Sequence, residues 1–90
     1  MKTLKLSVHS TEHIWLRQLF IAKRKELELS QRALAERLGV VYSFIGKVET
    51  GDRRLDIFEF MDYCRALKLD PIEVLNEIKI NFYNDLTLNN

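Results

Sequence analysis

The sequence predicts an all-α fold of five helices in a single domain, residues 1–90. Ninety residues match the size of one domain, and 47% hydrophobic residues are enough to build a core. Apolar residues recur mostly at spacings of three and four, the repeat of an amphipathic helix. Helix-capping residues interrupt this repeat, so we expect helices over about 11–28, 30–38, 41–49, 56–68 and 71–80.

Residues 1–8 lie outside the helical pattern. They alternate polar residues with Leu4, Leu6 and Val8, which predicts either a short strand or a flexible arm. Ser10 or Thr11 can then cap the first helix.

The second and third predicted helices are joined by a tight turn. Ser30 is a good N-cap, and Gly39 accepts the left-handed conformation that ends a helix. Ala35 is small where the two helices would cross, and Ile45 and Val48 point one face of the third helix toward the core. This spacing predicts a helix-turn-helix over about 30–49, whose second helix presents its opposite face to a DNA major groove.

The fourth and fifth helices also begin at capping signals. Asp56 and Glu59 form a capping box, and Asp70 precedes a proline at the first helical position. The expected inward residues are Ile57, Phe60, Met61, Cys64 and Leu67 in the fourth helix, and Ile72, Leu75 and Ile78 in the fifth.

The charge is unevenly distributed along the chain, although the net charge is only +1. Residues 17–54 carry nine Lys and Arg against five Asp and Glu, a balance of +4. Residues 55–90 carry three against seven, a balance of −4. This polarity is compatible with a basic face directed at DNA and equally with an uneven solvated surface.

The sequence favours a cytoplasmic protein without metal, cofactor or catalytic residues. The single cysteine, Cys64, lies in an apolar stripe and predicts a reduced, buried thiol. No apolar run approaches the length of a membrane span, and residues 1–10 lack an apolar core, so we expect no signal peptide. His9 and His13 match the H-x-x-E-H zinc pattern, but a Ser10 cap would leave His9 outside the helix. We therefore interpret both as surface histidines.

Several landmarks occur together in register. They are Arg24, Leu29-Ser30-Gln31, Leu34-Ala35, Leu38-Gly39, Ile45, Val48-Glu49-x-Gly51 and Leu69-Asp70-Pro71. Over roughly residues 16–78 the chain resembles the lambda-repressor-like, Cro/C1-type (XRE) helix-turn-helix family. The resemblance implies a five-helix DNA-binding domain and an ion pair between Arg24 and Glu49.

The resemblance also implies a set of DNA-contacting residues. The third helix would present Val41, Tyr42, Ser43 and Lys47 to the major groove. Gln31 would contact a phosphate, and Arg53 and Arg54 would hold the DNA backbone. The chain departs from the family's usual pattern in having Val41 as the cap, Gly46 inside the third helix, and no Arg, Asn or Gln among the groove-facing residues.

The resulting hypothesis is a sequence-specific transcriptional regulator, of repressor or controller type, that binds double-stranded DNA at a pseudo-palindromic operator as a homodimer. Val74, Ile78 and Phe82 are the expected dimer interface, while Trp15, Phe58 and Tyr63 are either core edge or partner surface. The alternative is the antitoxin of a toxin–antitoxin pair, which binds a protein partner and regulates its own promoter.

Overall fold

The computed structural model describes residues 7–87, which form five α-helices and a short 3₁₀-helix without any strand. This confirms the predicted all-α, five-helix fold. The strand or arm expected over residues 1–8 lies outside the described residues except for Ser7 and Val8. The elements are α1 Thr11–Glu26, α2 Gln31–Leu38, α3 Tyr42–Thr50, α4 Ile57–Ala66, α5 Pro71–Phe82 and the 3₁₀-helix Asn84–Thr87.

Four of the five helices begin with a side-chain cap. The side chains of Ser10, Ser30, Asp56 and Asp70 each accept a hydrogen bond from a backbone N–H in the first turn that follows. The expected capping box is present, because the Glu59 side chain also accepts from the Asp56 backbone. Helix α3 instead begins after Val41, whose side chain has no hydrogen-bonding group.

Helices α1 and α4 end about two residues earlier than expected. Glu28 and Lys68 adopt left-handed φ values of 58° and 59°. The next backbone N–H in each case bonds five residues back, from Leu29 to Arg24 and from Leu69 to Cys64. This is the closure that also ends α2 at Gly39, where φ is 70°. Helix ends of this type form at non-glycine residues here, which the sequence pattern did not indicate.

The core lies where α1, α2, α3 and α4 meet. Ala35, Ile45 and Val48 are buried, as the turn geometry predicts. Phe20 of α1 packs against the Tyr63 ring of α4, with centroids 4.7 Å apart. The buried residues are Phe20, Leu34, Ala35, Ile45, Val48, Phe60, Tyr63, Cys64, Leu67 and Val74.

The inward face of α4 differs from the expected one. Tyr63 is only 1% exposed and belongs to the core, so its assignment to the core edge or a partner surface was wrong. Ile57 and Met61, expected inside, are exposed. Phe60, Tyr63, Cys64 and Leu67 follow the three-and-four helical spacing, and this face packs against Phe20.

The inward face of α5 also differs from the expected one. Val74, expected at a dimer interface, is 4% exposed and lies in the core, so it offers almost no surface to a second copy. Ile72 and Leu75, expected inside, are exposed. Phe82 packs edge-on against Trp15 of α1, with ring centroids 5.9 Å apart. This contact partly covers Phe82 within its own chain.

A polar network joins the first three helices. The Glu49 carboxylate of α3 accepts from Arg24 Nε at 2.6 Å and from Arg24 Nη2 at 3.1 Å. It also accepts from Gln31 Nε2 of α2 at 2.8 Å, while Arg24 Nη1 donates to the Leu29 carbonyl. The hydrogen bonds that Arg24 donates to Glu49, together with the opposite charge of that carboxylate, raise the pKa of Arg24. The ion pair predicted from the resemblance is thus present, with Gln31 as a third member.

We expect Glu49→Gln to lower the free energy of unfolding by about 3 kcal/mol, because it leaves the Arg24 charge without a counter-charge in a site where the two side chains are 11% and 7% exposed. The matched control is Glu26→Gln, which makes the same chemical change in the exposed Lys23–Glu26 pair and should cost at most about 0.5 kcal/mol. Urea unfolding measures both, and equal losses would contradict the structural role of the network.

A second prediction compares two glycines. Gly39→Ala should destabilise the protein by about 1 kcal/mol, because φ is +70° there and an added Cβ would crowd the local backbone. Beyond the two chain neighbours of Gly39, no described atom lies within 4 Å of that Cβ, so packing adds no further cost. Gly46→Ala should stabilise it by up to about 1 kcal/mol, since Gly46 lies inside α3 and, among the described residues outside that helix, its Cβ would meet only Gln31 Oε1, at 4.0 Å. Thermal unfolding distinguishes the two signs, and a stabilising Gly39→Ala would refute the assignment of that turn.

Candidate nucleic-acid interface

Helix α3 is divided into a buried face and an exposed face. Ile45 and Val48 point into the core, whereas Tyr42, Ser43 and Lys47 are exposed on the other side. Val41, at the start of the helix, is 71% exposed. The groove-facing residues expected from the resemblance therefore all lie at the surface. The opposite side of α3 is packed into the core.

The N-terminus of α2 lies beside this exposed face. One shallow surface depression is lined by Gln31 of α2 together with Tyr42, Ser43 and Lys47 of α3. Gly46, Thr50 and Asp52 complete its lining. Residues that are more than ten positions apart in sequence are thus brought to one surface, which the turn at Gly39 makes possible.

Gln31 occupies this depression in a fixed orientation. One N–H of its side-chain amide donates to Glu49, as described above, so the Glu49 network sets its position. An amide nitrogen carries two hydrogens, and the second can donate to an anion. Gln31 is also the first residue of α2, where backbone N–H groups and the helix dipole favour a negative ligand.

Arg32 belongs to the same surface, although the sequence pattern did not single it out. Its guanidinium carbon lies 4.6 Å from the centroid of the Tyr42 ring. This cation–π contact couples α2 to the first residue of α3 and places a positive charge beside Tyr42. Ten residues separate the two in sequence, so only the crossing of the helices shows the contact.

Arg53 and Arg54 follow α3 in the loop to α4, and they differ in environment. Both terminal nitrogens of Arg53 donate to the Glu59 carboxylate, at 2.9 and 2.8 Å, and its guanidinium stacks on the Phe44 ring. Arg53 and the Asp56 backbone N–H lower the pKa of Glu59. Arg53 thus braces the loop, whereas Arg54 is exposed.

The end of α3 is held by α1. Gly51 adopts φ +89°, and an added Cβ would lie 2.9 Å from Cζ of Arg17. The Arg17 guanidinium also donates to the Val8 carbonyl. The backbone angle favours glycine at Gly51, and the Arg17 guanidinium packs directly over it where α3 ends and the loop begins.

The chemistry of this surface is that of binding. It offers a lysine ammonium, guanidinium groups, hydroxyls and an amide, all donors suited to phosphates and base edges. Cys64 is buried away from it, and burial raises the pKa of its thiol to about 11. In the described range, the histidines and acidic residues form no group suited to hold a metal ion, and none of the helices is long and apolar enough to cross a membrane.

Comparison with known proteins agrees with this geometry. The family model described as "Helix-turn-helix" matches residues 21–74. Among solved structures, the chain resembles an XRE-family like protein from Pseudomonas syringae pv. tomato str. DC3000, with 36% sequence identity and a TM-score of 0.77. That match covers 83% of this chain and 92% of the other. The search of curated proteins finds no match.

The family model spans α2, α3 and α4, including the turn at Gly39 and the exposed face of α3. The structural match extends over most of both chains at substantial identity. The chain therefore belongs to the XRE-type helix-turn-helix family of DNA-binding regulators.

Proposed function

We propose that this protein is a sequence-specific transcriptional regulator that inserts α3 into the major groove and binds a pseudo-palindromic operator as a homodimer. The observation that carries the proposal is the shared depression, where Gln31, Tyr42, Ser43 and Lys47 meet at the surface. The depression lies between α3 and the N-terminus of α2. Helix-turn-helix proteins place these two elements against DNA, with the second helix in the major groove.

Phosphate contacts supply much of the affinity in this proposal. Lys47 of α3 and Arg54 of the following loop are exposed cations, and Gln31 with the first backbone N–H groups of α2 adds a neutral anion site. Arg53 contributes mainly by holding the loop through Glu59 and Phe44, and its side chain remains 39% exposed. Binding therefore weakens with salt.

Base recognition rests on a small set of side chains. The Tyr42 and Ser43 hydroxyls can bond base edges, and Val41 can contact a thymine methyl group. The Tyr42 ring is held by Arg32, which limits its rotation and makes it the best-oriented reader. Because these contacts are few, the shape and deformability of the DNA supply part of the specificity.

We expect Lys47→Ala and Arg54→Ala each to weaken DNA binding about tenfold on specific and unrelated duplexes alike, and to reduce the salt slope by about one. Tyr42→Ala should instead change sequence preference, at a cost of about 1–3 kcal/mol on the preferred site. Gel shifts at two salt concentrations, with DNA from upstream of the protein's own gene, measure these effects.

The matched control for the charge changes is Arg65→Ala. It removes an exposed cation from α4, where Arg65 pairs with Asp62 and lies outside the α3 surface. It should leave the affinity within about twofold. Undiminished specific binding by a Tyr42→Ala, Ser43→Ala, Lys47→Ala triple variant would rule out α3 as the reader.

Gly46 provides a separate test of close approach. Nothing among the described residues fills the space of a Cβ at Gly46, and alanine is favoured inside a helix, so the protein interior does not require glycine there. We propose that the DNA backbone approaches this point. Gly46→Ala should then weaken DNA binding at least about fivefold although the protein becomes more stable. Unchanged affinity would show that the DNA does not approach Gly46.

The antitoxin alternative would need a second protein surface away from α3. The exposed apolar residues of α4 and α5 form such a surface.

A further inference from the structure

The guanidinium of Arg32 stands where the starts of α2 and α3 meet. Arg32 is the second residue of α2, and Tyr42 is the first residue of α3. The guanidinium carbon lies 4.6 Å from the centroid of the Tyr42 ring, and both side chains are exposed. Tyr42 also lines the depression that Gln31, Ser43 and Lys47 share, whereas Arg32 does not. Arg32 therefore extends that surface on the far side of the Tyr42 ring.

Arg32 also differs from most other arginines of the chain in what it contacts. Five arginines donate a hydrogen bond to an oxygen of the protein, namely Arg17, Arg24, Arg37, Arg53 and Arg65. Within residues 7–87, Arg32 donates to no protein oxygen and forms no ion pair, and its one contact of this kind is the Tyr42 ring. Its N–H groups are thus committed to no acceptor of the described protein.

Helix α3 lacks the side chains that most often read bases. Residues Tyr42–Thr50 include no arginine, asparagine or glutamine. In the major groove a guanine presents two acceptors side by side, O6 and N7, and the forked donor of an arginine matches both. The crossing of the two helices brings such a fork to the first residue of α3, although Arg32 belongs to α2.

We infer that Arg32 is a specificity-determining residue that reads a guanine from its place on the Tyr42 ring. Helix α2 thereby supplies the forked donor that α3 lacks. This inference rests on the proposed function, because it requires the start of α3 to lie in the major groove, and it names a base that the operator contains.

The Tyr42 ring prepares Arg32 for this role. An arginine side chain has many rotamers, and ordering it at an interface consumes part of the binding free energy. Contact with the ring restricts Arg32 before DNA arrives. The ring attracts the guanidinium through its face, so the N–H groups at the guanidinium edge can still donate to a base. Arg32 and the Tyr42 hydroxyl would then address neighbouring bases as one unit.

A phosphate is the other acceptor that an exposed cation near DNA can bind. The start of α2 already offers phosphate a site in Gln31 and the first backbone N–H groups. Arg32 leans instead on α3, the helix proposed to enter the groove. Its position on the reading helix therefore favours a base edge over the DNA backbone.

The test combines a change in the protein with the loss of one acceptor atom in the DNA. The probes are duplexes that the wild-type protein selects from a random pool, with each guanine replaced in turn by 7-deazaguanine, which lacks N7. At one guanine in each half-site, replacement should weaken wild-type binding about tenfold. Arg32→Ala should bind the unmodified duplex about tenfold more weakly than the wild type, and that same replacement should then cost it less than about twofold more.

Three further variants separate the fork, the ring and the charge. Arg32→Lys keeps the charge without the fork, so it should lose the dependence on that guanine and retain the salt slope. Tyr42→Phe keeps the ring and should retain the dependence on the guanine. The matched control is Arg37→Ala, the same substitution at an exposed arginine of the same helix, whose side chain donates to the Ala66 carbonyl. It should change the affinity less than about twofold.

Each contrary outcome has its own meaning. If Arg32→Ala binds every duplex more weakly and still depends on the same guanines, Arg32 contacts phosphate and the guanine assignment is overturned. If Arg32→Ala binds like the wild type, Arg32 does not contact DNA; in both cases the proposed regulator stands. If the wild type selects no sequence from the pool, the inference and sequence-specific regulation fail together.

Circular dichroism shows whether the variants fold. Arg32, Arg37 and Tyr42 are exposed, so the helical signal of each variant should match that of the wild type. A variant that loses the dependence on guanine while keeping this signal has lost a DNA contact rather than its structure.

Discussion

The Glu49 carboxylate is the group on which the position of the DNA-facing helix depends. Helix α3 is nine residues long and begins without a side-chain cap, so it is too short to be stable or oriented by itself. Ile45 and Val48 bury one face of it, but apolar contacts allow a short helix to rotate and slide. Glu49 accepts three hydrogen bonds, two from α1 and one from α2. These directional bonds fix the rotation of α3 about its axis and its position along that axis.

The same network has consequences at the surface. Its third member, Gln31, is at once a partner of Glu49 and a wall of the depression, so the orientation of α3 and the placement of an anion-binding group are set by one carboxylate. A nearly buried ion pair adds little net stability compared with apolar packing. The directional geometry of Arg24 and Glu49 accounts for its presence better than stability does, because a DNA reader must hold one orientation.

The features that depend on residues close in sequence could be predicted from the sequence. Those that depend on packing between distant residues could not. The caps at Ser30 and Asp56 and the left-handed Gly39 follow from local hydrogen bonding, and each was predicted correctly. The inward faces of α4 and α5 were not predicted correctly. Helix α4 has apolar residues on nearly all sides, so its sequence pattern allows more than one face to point into the core. Phe20 decides between them by packing on Tyr63. The Arg32–Tyr42 contact and the bracing of Arg53 by Glu59 also required knowledge of which helices meet.

The error in α4 and α5 bears directly on function. With Tyr63 and Val74 in the core, Phe58 and Ile72 lie at the surface, where they are 77% and 67% exposed. The proposed reading set on α3 has few base-specific donors, so one copy alone would discriminate weakly between DNA sequences. Joining two copies makes the second DNA contact intramolecular, which raises affinity for paired half-sites by orders of magnitude without any new base contact. On the proposed function, the pairing of two copies would therefore set how well this protein distinguishes its operator from other DNA.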